Sequence, residues 1–312
     1  MMVLIGTEEI STIEKYPVVA IGNFDGIHLG HQAILAKTIE HAKAKNGTSV
    51  VLTFRPHPSH VISPEKPTLL LTPFEDKMRL LESFGVDMLL LVEFTKEFSH
   101  QTPSHFAQEI LLEKIGCKEV IVGERFTFGK QRSGTVMDLT KLGEKLGFAV
   151  FVQQNFTLNG AIVSSSRIRT LLQEGNINLA SKMLSRPYTL GGEVVYAEGR
   201  GKKLGVPTAN INLANKLIPK DGIYVARVTL PQDPTPRNGV AYIGSKPTFQ
   251  KTGTTQIEVH LFDFNKNLYG KTIEVALLEW LRPDEKFDNP AMLVKQMQQD
   301  MKKAMAICRQ LG

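Results

Sequence analysis

Short apolar runs alternate with amphipathic stretches through the first half of the chain. Residues 18–21 read as a strand, 32–45 as a helix closed by Asn46-Gly47, and 49–54 as a second strand. Thr72-Pro73-Phe74-Glu75 predicts a helix start, with Thr72 as cap, Pro at the first position and Glu at the third. Strands follow at 87–92, 119–122 and 148–153, separated by a helix from Thr102-Pro103 to about residue 115 and another over 136–146. Strands joined through helices call for right-handed crossovers and a mainly parallel sheet covered on both faces, an α/β domain.

Around Ser185-Arg186-Pro187 the texture changes: helical periodicity stops and β-rich segments recur with turn residues between them. Strands are predicted over 188–197, 208–211, 224–230, 240–243, 256–264 and 272–281, with a Pro-rich loop at 231–236, the pattern of an antiparallel barrel or sandwich. A closing helix over 292–311 aligns Met292, Leu293, Met297, Met301, Ala304 and Ile307 in one stripe suited to packing on the barrel. The chain's 312 residues exceed what one core usually supports, so two domains are expected, 1–185 and 186–312.

Composition narrows the class without choosing the chemistry. Hydrophobic residues at 42% and charged ones at 22% are ordinary for soluble globular proteins. No apolar run approaches the roughly 18 residues of a membrane span, and residues 1–11 lack the basic start and apolar centre of a signal peptide, so no membrane partner and a cytoplasmic location are expected. Cys117 and Cys308, one in each half, read as reduced core thiols. A net charge of +6 and a pI near 9.1 favour anionic partners. The basic residues are spread along the chain, which ranks a small phosphorylated ligand above nucleic acid.

The stretch GNFDGIHLGH, Gly22 to His31, follows a strand and enters a helix, where a parallel sheet binds ligands. Gly22, Gly26 and Gly30 let backbone approach a phosphate, while His28 and His31 share a face at the positive end of the helix. Imidazoles so placed suit stabilisation of an α-phosphate during displacement of pyrophosphate, without a covalent intermediate. The plainer reading is a tight turn with locally bonded histidines; HxxH alone supplies only two metal ligands. Ser164-Ser165-Ser166-Arg167-Ile168-Arg169 combines a serine cap with two guanidiniums at a helix start, a second anion-binding pattern. In GRGKKLGVPTAN a Gly-rich basic loop spans Gly199, Lys203 and Gly205 and leads through Pro207 to Thr208 and Asn210. The two side-chain oxygens, two residues apart on a strand, point the same way and can share one Mg²⁺ carried in by a nucleotide. A glycine hairpin with exposed lysines is the alternative.

These segments resemble the HxGH nucleotidyltransferases, and over nearly the whole chain the bacterial bifunctional riboflavin kinase/FAD synthetase family. The resemblance implies a Rossmann-like nucleotidyltransferase domain and a riboflavin kinase barrel, with ATP, riboflavin, FMN, FAD and pyrophosphate as substrates and products and Mg²⁺ accompanying ATP. It implies that His28 and His31 act on the adenylyl phosphate, with Asn23, Phe24 and Asp25 in the nucleotide pocket and Ser165, Ser166 and Arg169 on the ATP phosphates. TFRPHP, Thr53 to Pro58, also matches; His60 just beyond it reads as a loop residue outside the chemistry. LGVPTANI matches the kinase ATP·Mg²⁺ segment, and the resemblance implies that Glu258 is the base toward the ribityl hydroxyl, although its alternation with Ile257 and Val259 equally suits an exposed strand residue. GVAYIGSKPTF at 239–249 and LRPDEKF at 281–287 are further matches, near which the flavin is expected. The segment VGERFTFGKQRSG departs from the family at Arg125, where Asp or Asn is usual; a permanent cation there attracts phosphate instead. Two other classes stand beside this reading. One is an adenylyltransferase for another phosphorylated vitamin with a regulatory flavin-binding barrel; the other is a single-strand-binding barrel, which with one Trp and six Tyr would need stacking platforms mainly from its 16 Phe.

Overall fold

The computed structural model describes residues 1–6, 13, 15–196, 206–213, 216–231, 233–245 and 255–311. They form two compact units, Met1–Ser165 and Ser166–Gly312.

In the first unit a six-stranded, wholly parallel sheet comprises β1 (Met2–Ile5), β2 (Pro17–Ile21), β3 (Thr48–Arg55), β4 (Met88–Glu93), β5 (Glu119–Gly123) and β6 (Ala149–Gln153), in the order β1-β4-β3-β2-β5-β6. Every residue of β2 is buried, as a central strand covered on both faces requires. Alternate residues feed two cores: Val19, Val50, Leu90 and Val120 lie on one face, Val18, Val51, Leu89 and Ile121 on the other. After β2 the chain builds outward through β3 and β4, then returns to the opposite side of β2 with β5. The crevice beyond the carboxyl ends of β2 and β5 is therefore the topological switch point, where open α/β sheets bind ligands.

Helix α1 (Leu29–Ala44) starts three residues before the predicted 32, because His28 caps it. The helix predicted from Thr102-Pro103 is capped by Thr102 and opens into wide π-helical turns over Phe106–Lys114, and the edge strand β1 is an addition that sequence pattern did not announce. Helix α2 (Phe74–Ser83) has no side-chain cap: Thr72, predicted to supply one, accepts the Gly26 N–H at 3.0 Å instead. Helix α3 (Val136–Leu146) has the predicted bounds, enclosed by a Thr135/Asp138 capping box and Gly147 at φ 86°.

In the second unit α4 (Ser165–Glu174), whose first residue closes the preceding unit, and α5 (Ile177–Leu184) lead into a closed antiparallel barrel. Its strands are β7 (Tyr188–Val195), β8 (Ala209–Asn212), β9 (Gly222–Leu230), β10 (Asp233–Ser245), β11 (Thr255–Leu261) and β12 (Thr272–Arg282), in the cyclic order β7-β8-β11-β10-β9-β12. Where a Pro-rich loop was expected at 231–236, strand β10 already begins at Asp233, with Leu230 opposite Asp233. Pairing with β11 begins only at Gly239, so Pro234 and Pro236 lie where the strand has one neighbour and their missing N–H groups are tolerated. Helix α6 (Pro290–Gln310) packs on β9 and β10 through Asp300, Ala304, Ile307 and Cys308, so Ala304 and Ile307 of the predicted stripe face the barrel while Met292 is 50% exposed. Asp300 enters that line because its carboxylate takes the guanidinium of Arg282 at 2.8–3.1 Å. Both cysteines are free and buried.

Candidate active sites

The turn from β2 into α1 is backbone-strained and held from below. Phe24, Gly26 and Ile27 have φ of 48°, 90° and 40°. Non-glycine residues persist in that region only where their surroundings over-determine them, and here Phe24 and Ile27 are fully buried. The Asp25 carboxylate accepts the N–H groups of Leu71 and Thr72 at 3.0–3.1 Å, and its carbonyl accepts the Ser165 hydroxyl at 2.8 Å. The Asn23 carbonyl accepts Lys77 Nζ at 2.7 Å and Thr53 Oγ1 at 3.3 Å.

On the other side of this turn the rings of His28 and His31 stack at 3.7 Å and 15°. His28 Nδ1 accepts the His31 N–H at 3.3 Å, which places a neutral ring's proton on Nε2. His31 Nδ1 is buried with no hydrogen-bond partner among the described residues. Burial first, then the neighbouring His28 and Lys77, hold His31 well below the usual imidazole range, so it is neutral at physiological pH and acts as a hydrogen-bonding group rather than a cation. Gly30 is tightly enclosed: a Cβ there would lie 3.2 Å from the His28 ring.

A cavity of about 220 Å³ opens at this place. Gly22, Phe24, His28, Gly30, His31 and Arg125 all line it, and Ser164 completes its rim. Asn23 and Asp25, predicted in the pocket, are bonded to the 71–77 segment behind the turn, and Ser165 is tied to Asp25. Ser166 and Arg169 belong to α4, counted with the second unit. His57 caps the short helix Pro58–Ile62, and His60 Nε2 lies 2.9 Å from the Thr68 carbonyl. Sequence reasoning missed Lys77 and read Thr72 only as a helix cap. The available signal was a lysine one helical turn before Leu81 on the buried face of α2.

The second site lies on the outer face of the barrel. Ala209, Ile257, Val259 and Ala241 are buried inside it, so by alternation Asn210, Glu258 and Tyr242 project outward. Strand register puts Asn210 opposite Glu258 and Glu258 opposite Tyr242, a polar row across three adjacent strands. Thr208 Oγ1 donates to Glu258 Oε2 at 3.0 Å, and Tyr242 donates to Asp284 Oδ2 at 2.9 Å. Among the described residues Asn210 Oδ1 is buried without a hydrogen-bond partner, on the face that carries Thr208 and Glu258. Gly199, Lys203 and Gly205, and the 246–249 part of the expected flavin segment, lie outside the described residues; the Pro207 carbonyl accepts from His260 Nδ1 at 2.8 Å.

The FAD synthetase family matches residues 10–167 and the riboflavin kinase family residues 184–308. A bifunctional riboflavin kinase/FMN adenylyltransferase of Bacillus subtilis is 36% identical over 293 residues, covering 92% of this chain and 91% of that protein. The chain belongs to this bifunctional family. An Escherichia coli K12 protein of the same description is 35% identical over 284 residues, covering 91% of this chain and 90% of the relative. A crystal structure described as a macrolide-efflux protein from Streptococcus pneumoniae shares the fold at TM-score 0.88 and 30% identity, covering 96% of this chain and 97% of that one. Among the described residues no helix is long and apolar enough to cross a membrane. The family match ends at 167 and resumes at 184, so α4 and α5 fill most of the interval.

Proposed function

We propose that this chain phosphorylates riboflavin to FMN on its barrel and adenylylates FMN to FAD, releasing pyrophosphate, on its α/β unit, in the cytoplasm and without nucleic acid. We assign the adenylyltransferase to residues 1–185 and the kinase to 186–312. The observation that carries the reading is the convergence of Thr208, Asn210 and Glu258 on one face, with the Asn210 oxygen unpaired among the described residues.

Neutral oxygens beside one carboxylate fit a magnesium ion arriving on a nucleotide better than a protein-held metal. Among the described residues no cluster of three or more His, Cys, Asp or Glu side chains is suited to a metal. Thr208 and Asn210 would hold the ion, which when bound neutralises charge on the β- and γ-phosphates. Glu258 orients the ribityl hydroxyl and accepts its proton as the oxygen–phosphorus bond forms and the bond to ADP breaks. In the other unit an FMN phosphate oxygen attacks the α-phosphorus of ATP while pyrophosphate leaves in line. His28, His31, the N-terminus of α1 and Arg125 face the developing charge.

Purified protein with riboflavin, ATP and Mg²⁺, followed by chromatography, is expected to show FMN and then FAD; absence of both ends the reading. Asn210→Ala is expected to raise the kinase KM for Mg·ATP by about 10- to 100-fold, the worth of one hydrogen-bonding group toward a charged ligand, while FMN still becomes FAD. An unchanged KM removes Asn210 from the nucleotide site.

A further inference from the structure

Lys77 lies outside every motif singled out in the sequence, and its position in the core calls for a reason. It is 7% exposed on the face of α2 that also buries Leu81, where an apolar side chain would pack without desolvating a charge. Its Nζ meets the Asn23 carbonyl at 2.7 Å, directly behind the turn whose far side carries His28 and His31.

We propose that Lys77 is a positioning residue for adenylyl transfer: through Asn23 it fixes the phosphate-cradling turn, and it places one buried positive charge behind that cradle. The inference rests on the adenylyltransferase reading of this unit. Two imidazoles stacked at 3.7 Å are poorly suited to carry charge together, and His31 is held neutral, so the cradle's positive charge must come from elsewhere. Arg125 offers an exposed, solvent-screened cation at the cavity wall, whereas Lys77 offers a buried one that salt screens far less. Lys77 reaches His31 electrostatically, since it contributes to that ring's lowered pKa.

The ammonium is also poised to titrate. Burial pulls Lys77 down to about 8, with the Asp25 carboxylate opposing the fall. The groups facing it are Asp25 and His31 with the Asn23 carbonyl and Thr53 hydroxyl; on its own helix Glu75 is exposed and Asp76 pairs with Arg79. Loss of the Lys77 proton as pH rises through about 8 removes the charge, so the specificity for ATP should fall on the alkaline side.

The test is the pH profile of kcat/KM for ATP in FMN-to-FAD conversion, which reports ionisations of the free enzyme, measured on the full chain and on Lys77→Met and Lys77→Arg. Riboflavin-to-FMN conversion in the same samples is the control. The wild type is expected to decline with a midpoint near 8. Lys77→Met is expected to be at least about 10-fold less active and to lack that decline, while Lys77→Arg, permanently charged, recovers much of the activity and shifts the decline to higher pH. Lys77→Met with wild-type activity, or with the same alkaline limb, overturns the proposal. Should Lys77→Met lose both activities through misfolding, Lys77→Arg decides: a limb still near 8 overturns the proposal, and a displaced one supports it. A wild type that makes FMN but no FAD brings down the parent reading and this inference with it.

Discussion

Glu258→Gln is expected to lower kcat for FMN formation by about 10²- to 10⁴-fold, the usual contribution of a positioned general base, and to leave FMN-to-FAD conversion near wild type. The substitution keeps the side-chain volume and an oxygen that can still accept from Thr208, now at 3.0 Å, so the β8–β11 pairing is undisturbed. What it removes is the proton acceptor beside Asn210. The separation of the two activities is the discriminating feature, because Glu258 belongs to the barrel unit alone. Equal loss of both steps would point to general destabilisation, and an unaffected kinase would return Glu258 to an exposed strand residue. Under the alternative in which the barrel only senses flavin, wild-type protein would form no FMN and this variant would have nothing to lose.

The second large effect is expected at His28. Removing one preorganised donor to a developing negative charge commonly lowers rate about 10²- to 10³-fold, and His28 lines the cavity on the stacked face of His31. His28→Ala confounds this with structure, since the ring also caps α1 by accepting the His31 N–H, and losing such a cap costs roughly 0.5–2 kcal/mol. His28→Asn separates the roles: asparagine is among the best N-cap residues but has no imidazole. His28→Asn is therefore expected to melt close to wild type and to form FMN normally, yet to make FAD about 10²- to 10³-fold more slowly. Full FAD synthesis by this variant would leave His28 as a cap alone.

The two large predictions concern residues that sequence motifs had marked as site residues, whereas the reasons for their geometry come from residues that no motif had placed at the site. Gly22, His28 and His31 were legible because a strand, a glycine turn and a helix start follow one another within ten positions. The clamp beneath them was not: Gly26 meets Thr72, Asp25 meets Leu71, and Asn23 meets Lys77, contacts 46 to 54 residues apart. Thr72 illustrates the conflict. Its local context is that of a helix cap, but a buried N–H at Gly26 needed an acceptor and took its hydroxyl.

Sequence by itself determined the alternation of elements in the first half, the bounds of α3 and the β-rich character of the second half, because capping boxes, left-handed glycines and side-chain periodicity act over a few residues. Only the tertiary structure decided that Thr208 meets Glu258 across 50 residues, that Pro234 and Pro236 sit in a strand with one neighbour, and that a lysine is buried behind the phosphate turn. Those outcomes depend on which strand lies beside which and on which buried polar group needs a partner, and neither leaves a periodic trace along the chain.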